Sequence, residues 1–370
     1  MSTVTFVTWD GAGNVPPALA VAAELQARGH IVDVLGHDSL ATAAAAAGVP
    51  FSSFPNARQW DAARPAGPIA MLRMIGDRTM GRDAVAHARR HQADLVVVDC
   101  LLFGVMKVIG EEGLPYVALE HVCDGFVREA ARGPFGVGLR LKRLHPLELI
   151  DGAMARMTMT IPELDRGHGD VTHVGPVVRG APSRASEPTV LISLSTYAYP
   201  GMQKVWQRAL DAVDGLDVRV VATTGPQIDP GDLRAPQGVE VHRWLDHTSL
   251  LPEMTTVVCH GGHGTTAAAL AHGVPVLALP LDPSGDQPFL GESLEALDAG
   301  RRLGKRAKPA AIRASIEALM VDGPHRRAAA QLGESIRNLD GRQRCADLIE
   351  SLPPIVGAAT AASGACAPEG

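Results

Sequence analysis

The stretch Thr255–Leu281, TTVVCHGGHGTTAAALAHGVPVLALPL, decides the fold of the second half of the chain. It opens with a β-branched apolar run of strand length, passes through HGGHG, and then becomes rich in alanine. Thr265 or Thr266 can cap the predicted helix, and Gly273 can end it. Pro275 prevents its continuation, and a second apolar run follows. The stretch therefore predicts a strand, a glycine-rich turn, a helix and another strand.

A glycine-rich turn between a strand and a helix favours an anion site. The N–H groups of the first helical turn are free, the helix dipole is positive there, and glycines let a phosphate approach the main chain. His260, at the strand end, can donate a hydrogen bond to a phosphate oxygen, so a phosphate or diphosphate is the expected ligand. Two alternatives are open: the glycines serve packing alone, or His260 and His263 bind zinc, although no third ligand with suitable spacing lies nearby.

Polar and aromatic residues on either side extend the predicted site. Asp286 and Gln287 follow the next strand at its carboxyl end, where ligands of open α/β sheets bind, and they offer a carboxylate and an amide to sugar hydroxyls. Trp244 ends a strand predicted over 239–244 and can stack on a flat base. In the alternative reading, Trp244 belongs to the core, and Asp286 and Gln287 only cap the following helix.

The order and spacing of Trp244, HGGHGT at 260–265 and the pair at 286–287 resemble the donor-site signature of family-1 nucleotide-sugar glycosyltransferases. The resemblance extends over nearly the whole chain and is greatest to bacterial enzymes that glycosylate natural products in antibiotic biosynthesis, usually with dTDP-sugars. It implies a GT-B fold, an α/β architecture in which two Rossmann-like domains face each other across a cleft. It also implies that the tryptophan stacks on the base, that the glycine-rich turn holds the diphosphate, and that the 286–287 pair binds the sugar. The candidate donor-binding residues are Trp244, His260, Gly261, Gly262, Gly264, Thr265, Asp286, Gln287, Ser195 and Thr224.

Length and pattern predict two domains. A chain of 370 residues is too long for one ordinary core, and each half shows a β-α-β rhythm. The expected divisions are a first domain at 1–178, a linker at 179–188, a second domain at 189–334 and a disordered tail at 353–370. The resemblance implies that the first domain binds the acceptor, that the second binds the donor, and that a helix at about 335–352 packs back on the first domain.

Composition excludes several classes of partner. The formal net charge is −6 and no basic patch is visible, which argues against nucleic acid. The five cysteines show no paired spacing and are expected to be reduced thiols in the cytoplasm. Neither a signal peptide nor an apolar run of about 18 residues is present, so a membrane span is not expected. Homodimer formation is left open.

Less regular segments are expected in the first half. Residues 55–70 lack periodicity and predict a mobile loop, and one helix is predicted over 69–91. The region 123–148 is interpreted as irregular, either lining an acceptor cleft or forming a surface helix pair. The first loop contains two glycines but continues into Pro16 and Pro17, which remove N–H groups that a dinucleotide would need.

The position of the catalytic base departs from the family pattern. By the resemblance, a histidine in the first βα loop pairs with an aspartate at the end of a later strand; here Asn14 and Asp99 stand at those positions. An asparagine amide cannot act as a base at neutral pH. Asp99 or Asp10 could take the proton directly, His121 could enter the cleft from the neighbouring strand, or Asn14 could only position an acidic acceptor. Each of Asp10, Asp99 and His121 could instead be structural.

The sequence thus predicts inverting, metal-independent transfer of a sugar, expected to be a deoxyhexose, from a dTDP- or UDP-sugar to a small aromatic or polyketide-like acceptor. No cofactor and no metal are expected. The linkage could be to oxygen, or to carbon if an acceptor phenolate drives the attack. A sugar-nucleotide epimerase and a non-catalytic nucleotide-sugar-binding helper are the rival hypotheses, and the absent histidine is the main support for the helper.

Overall fold

Two separate parallel β-sheets organise the chain. The computed structural model describes residues 1–64, 66–167 and 169–353. The first sheet has the order β3-β2-β1-β4-β5-β6-β7, with every neighbouring pair parallel. Its strands are β1 (Thr3–Val7), β2 (Ile31–Gly36), β3 (Phe51–Ser53), β4 (Leu95–Asp99), β5 (Tyr116–Glu120), β6 (Arg156–Thr158) and β7 (Thr172–His173).

Helices connect these strands and cover both faces of the first sheet. Apolar layers on the two faces explain why the central strands β4 and β5 are nearly continuous apolar runs rather than alternating ones. The helices are α1 (Val15–Ala27), α2 (Ala41–Ala46), α3 (Pro68–Ile75), α4 (Arg78–Arg90), α5 (Phe103–Glu111), α6 (Asp124–Arg132), α7 (Pro134–Leu141) and α8 (Pro146–Asp151).

The second sheet has the order β10-β9-β8-β11-β12-β13 and is also entirely parallel. It too carries an apolar layer on each face. Its strands are β8 (Thr189–Ile192), β9 (Arg219–Thr223), β10 (Val239–His242), β11 (Thr256–Cys259), β12 (Val276–Ala278) and β13 (Gly300–Arg302). The helices of this half are α9 (Met202–Val213), α10 (His247–Leu250), α11 (His263–Ala271), α12 (Gln287–Ala296), α13 (Pro309–Met320), α14 (Pro324–Arg337) and α15 (Gly341–Ser351).

The last helix returns to the first domain. Cys345, Ala346 and Ile349 of α15 lie in the same buried layer as residues of β1 and α1. Arg28, directly after α1, adds contacts to two carboxylates of α15, at Asp347 and Glu350. The returning element begins at Gly341 rather than at about 335, because α14 continues to Arg337 and packs on α11 of the second domain. Most of the tail predicted at 353–370 lies outside the described residues.

Three local predictions for the first half differ from the structure. The single helix predicted over 69–91 is two helices, because the Asp77 side chain accepts from Thr79 N–H (2.7 Å) and starts a new helix. The region 123–148 is not irregular: it forms α6, α7 and α8, and prolines begin the last two. The loop predicted over 55–70 ends earlier, because α3 begins at Pro68. Its first residues are anchored, since the Asp83 carboxylate accepts from the backbone N–H groups of Asn56 and Ala57.

Candidate active site

The carboxyl ends of the two sheets face each other. The loop after β5 and the start of α11 meet where Cys123 Sγ lies 3.9 Å from His263 Nε2. The loops after β8 and β3 also meet, where Ala198 N–H donates to the Ala62 carbonyl (3.3 Å). Because parallel strands bring their loops to one edge, the candidate residues of both domains gather along this cleft.

The glycine-rich turn leaves the N-terminus of α11 open. The helix begins at His263, two residues before the predicted cap, and Gly262 is its N-cap. Thr266 N–H is the first to bond within the helix, to the Gly262 carbonyl (3.1 Å), so the N–H groups of residues 263–265 point out of the helix end. A Cβ atom placed on Gly264 would meet no other atom within 4 Å, so the space beside this residue is open. Gly261 has a φ angle of +83°, a backbone conformation that favours glycine. The turn can therefore accept an anion directly against the main chain.

Two neutral imidazoles flank this turn. Burial lowers the pKa of His260 to about 4. Burial, reinforced by the charge of His121, lowers the pKa of His263 to the same value. His260 Nδ1 is buried without a hydrogen-bond partner among the described residues, and its ring lies 6.1 Å from that of Tyr199. At neutral pH the turn therefore offers hydrogen bonds and a dipole to an anion, but no imidazolium charge.

Other predicted donor residues occupy different environments. Trp244 is 72% exposed, so its ring lies on the surface and is not part of the core. The strand that precedes it ends earlier than predicted, at His242. Ser195 and Thr224 are buried, and their hydroxyls bond locally, the first accepting from Tyr197 N–H (3.0 Å) and the second donating to the Gly225 carbonyl (3.3 Å). The two therefore shape the loops at the ends of β8 and β9.

Asp286 and Gln287 differ from each other in role. Gln287 is buried, and its amide oxygen accepts from the N–H groups of Leu281 (2.7 Å) and Asp282 (3.2 Å). It thus fixes the loop that leaves β12. Asp286 is half-buried, precedes α12 without capping it through its side chain, and interacts electrostatically with His121 across the cleft. Burial raises the pKa of Asp286 to about 6.

On the opposite wall, Asp99 is held by four donors. Its Oδ1 accepts from Trp9 Nε1 (3.2 Å) and from Leu101 N–H (3.0 Å). Its Oδ2 accepts from the amide of Asn14 (2.9 Å) and lies 3.1 Å from Nδ1 of His121. Asn14 itself is buried and does not cap α1 with its side chain, so the amide fixes the carboxylate instead.

His121 and Asp99 form a coupled pair. Burial alone would lower the pKa of His121, but the adjacent carboxylate outweighs it and raises the pKa. Burial alone would raise the pKa of Asp99, but His121 and the surrounding donors lower it. The carboxylate is therefore a weak base, and the imidazole is a stronger one than a free histidine.

Asp10 is engaged elsewhere. Its Oδ2 accepts from the Ser39 hydroxyl (2.7 Å) and from Ala62 N–H (3.1 Å), which ties the first loop to the loop after β3.

The sequence reasoning did not identify Trp9, although a tryptophan just beyond β1 is placed to reach the end of the neighbouring β4. Among the described residues, two groups of side chains are close enough to share a metal ion, and neither contains His260 or His263.

Comparisons with known proteins agree with this geometry. Residues 207–340 match the family model of the erythromycin biosynthesis protein CIII-like C-terminal domain. The chain is 30% identical over 308 residues to the TDP-daunosamine transferase DnrS of Streptomyces peucetius, an alignment that covers 71% of this chain and 69% of that protein. The chain belongs to the family-1 glycosyltransferases of natural-product pathways. The resemblance stated from the sequence is therefore confirmed.

Other members of this glycosyltransferase family match over shorter segments. The 4'-demethylrebeccamycin synthase of Lentzea aerocolonigenes is 30% identical over 209 residues, 52% of this chain. The chain spans about half the length of that relative (48%), and 38% of the O-mycaminosyltylonolide 6-deoxyallosyltransferase of Streptomyces fradiae.

Solved structures of glycosyltransferases share the fold over almost the whole chain. The glycotransferase of kitacinnamycin aligns with a TM-score of 0.77 at 23% identity, covering 95% of this chain and 99% of the other. The glycosyltransferase VinC, solved in complex with dTDP, aligns with a TM-score of 0.70 at 19% identity, covering 94% and 98%. The predicted GT-B architecture is thereby confirmed. None of the helices that the structure describes combines the length and apolar character needed to cross a bilayer.

Proposed function

We propose that the protein transfers a sugar, with inversion and without a metal ion, from a dTDP- or UDP-sugar to a small aromatic or polyketide-like acceptor. The observation that carries this proposal is the open N-terminus of α11 in HGGHGT, which faces the His121–Asp99 pair across the cleft. One wall suits a diphosphate leaving group and the other suits removal of a proton from a nucleophile.

The donor diphosphate would bind the N–H groups of residues 263–265 at the helix N-terminus. As the bond between the anomeric carbon and the diphosphate oxygen breaks, negative charge grows on that oxygen, and the helix dipole and His260 stabilise it. A cation is not required for this step, since fixed dipoles already lie where the charge develops. Trp244, exposed beyond β10, would stack on the base, and Asp286 would accept a hydrogen bond from a sugar hydroxyl.

His121 would act as the general base. The acceptor hydroxyl would give its proton to the second ring nitrogen of His121 as its oxygen attacks the anomeric carbon from the face opposite the diphosphate. Asp99 would stabilise the resulting imidazolium through Nδ1, and Asn14 and Trp9 would hold that carboxylate in place. The histidine thus comes from the end of β5 and pairs with the aspartate that the family pattern places at the end of β4.

This base supports O-linked transfer. An asparagine at position 14 motivated the C-linked hypothesis and the non-catalytic helper, because both explain a missing histidine. The pairing of His121 with Asp99 supplies an imidazole base for a hydroxyl, so neither explanation is needed. The four cysteines in the described part of the chain are buried free thiols, which supports a reducing compartment such as the cytoplasm.

The test is turnover with dTDP-glucose or UDP-glucose and a polyphenol acceptor, after treatment with a chelator. We expect nucleoside diphosphate to be released only when the acceptor is present, together with a β-linked product from the α-linked donor. Tight nucleotide binding without turnover across a panel of donors and acceptors would favour the helper. Isomerised donor without acceptor would favour the epimerase.

A further inference from the structure

A second cluster of titratable side chains lies in the first domain, away from the cleft. It comprises Asp33 of β2 and His87 and His91 at the end of α4. The two histidines are four residues apart and therefore share one face of the helix. Their rings are stacked, with centroids 4.2 Å apart and an interplanar angle of 16°. The transfer mechanism uses none of the three.

The geometry of this cluster matches a ligand set. One carboxylate oxygen and one ring nitrogen from each histidine all lie within 4.8 Å of one another. Asp33 Oδ2 directly contacts Nε2 of His87. Its other oxygen, Oδ1, accepts from the Thr5 hydroxyl (2.9 Å), which orients the carboxylate as an outer-shell partner does in a metal centre.

The three side chains of this cluster run from the protein interior to the surface, so an ion could reach them from solvent. Asp33 and His87 are buried beside the apolar layer that contains Leu35, whereas His91 is exposed. A carboxylate in such a layer is costly unless it is paired. Two imidazoles and one carboxylate are ligands that zinc and similar transition ions accept, with water completing the coordination.

We propose that Asp33, His87 and His91 bind one divalent transition-metal ion, for which zinc is the physiological candidate, and that the ion ties the end of α4 to β2. The role is structural. Asp33 pairs with Thr5, and Thr5 pairs with Val96, three residues before Asp99, so the site lies roughly 10 Å along the strands from the cleft. The proposal is therefore independent of the transferase assignment.

The experiment uses the untagged, chelator-treated protein. Titration with Co²⁺, followed by visible absorption, should show one bound ion, and Zn²⁺ should displace it and raise Tm. His91→Ala should abolish both effects while leaving the metal-free Tm unchanged, because His91 is exposed. Thr5→Val, which keeps the shape but removes the hydroxyl, should weaken binding by about 10–100-fold.

Two controls locate the ion. His145→Ala removes an exposed histidine at the start of another helix and should bind as the wild type does. Cys100→Ser alters the other group of side chains close enough to share a metal ion, which consists of Asp99, Cys100 and His121. This variant should also bind Co²⁺ as the wild type does. Absence of Co²⁺ binding to the wild type would overturn the proposal and leave only a buried contact between His87 and Asp33. Equal affinity in His91→Ala, or loss of binding in Cys100→Ser, would overturn it as well.

Discussion

Nδ1 of His121 lies 3.1 Å from Oδ2 of Asp99, and the same carboxylate oxygen accepts a hydrogen bond from Asn14. The aspartate therefore links the residue at the usual histidine position with a histidine from a different strand. This arrangement keeps a His–Asp pair at the cleft although residue 14 is an asparagine.

Replacing His121 should stop the chemistry without stopping donor binding. We expect His121→Asn to lower kcat by about 10²–10⁴-fold, the usual contribution of a general base, with little change in the Kd for dTDP. His145→Ala, which removes an exposed histidine that contacts Glu148, is the matched control and should behave as the wild type does. Wild-type kcat in His121→Asn would remove this residue from the mechanism.

The pH dependence of kcat/KM should show an acid limb. His121 must be neutral to accept a proton, and the Asp99 carboxylate raises its pKa above the ordinary 6.5, against the effect of burial. Activity should therefore fall about tenfold per pH unit once the pH drops below that raised pKa. In Asp99→Asn the limb should move to lower pH, because the negative charge is lost. A limb at the same pH in the variant would contradict this coupling.

A methyl group at Gly264 should separate donor binding from stability. A Cβ there meets no atom within 4 Å, so Gly264→Ala should fold and gain up to about 1 kcal/mol from helix propensity. The same methyl group would occupy the space through which a phosphate approaches the helix N-terminus, so dTDP affinity should fall at least about tenfold. Gly110→Ala, also unobstructed and in α5, should leave affinity unchanged. Unchanged affinity in Gly264→Ala would argue against phosphate contact at this turn.

The buried His37 should contribute to acid sensitivity. Burial, opposed only in part by Asp10 and other nearby carboxylates, lowers its pKa to about 4. Below pH 6.5 the unfolded chain binds a proton at His37 that the native state takes up only near pH 4. The contribution of His37 to the free energy of unfolding is therefore fully present above pH 6.5 and is lost as the pH falls toward 4. The excess unfolding free energy of wild type over His37→Gln should shrink by up to about 3 kcal/mol between pH 7 and 4. A difference independent of pH would show that His37 is not held neutral.

The secondary structure around HGGHGT could be predicted because its signals are local. A strand, a glycine-rich turn and a helix lie within one short stretch, and only the helix start was misplaced, because His263 was not recognised as a first-turn residue. The acceptor side depends on pairing between strands. Asp99 and His121 meet because Asp99 is in register with Leu119 on β5, which places His121 just beyond the strand end. No spacing rule within the sequence selects His121 over Asp10.

Short helices were the other source of error. The elements α6, α7 and α8 have nine, eight and six residues, too few turns for a clear periodic signal. Packing on neighbouring elements stabilises helices of this length, and that contribution is not visible in propensity. The cluster of Asp33, His87 and His91 escaped prediction for a different reason: Asp33 and His87 are 54 residues apart, so only the tertiary fold brings them together.

The most direct test of the account is calorimetric titration of the chelator-treated protein with dTDP and UDP. We predict saturable binding of at least one of the two without added metal, and a marked loss of affinity in His260→Ala, because Nε2 of His260 lies against Gly262 of the turn. No binding heat with either nucleotide, or binding only after a divalent ion is added, would contradict the claim that main-chain amides hold the diphosphate.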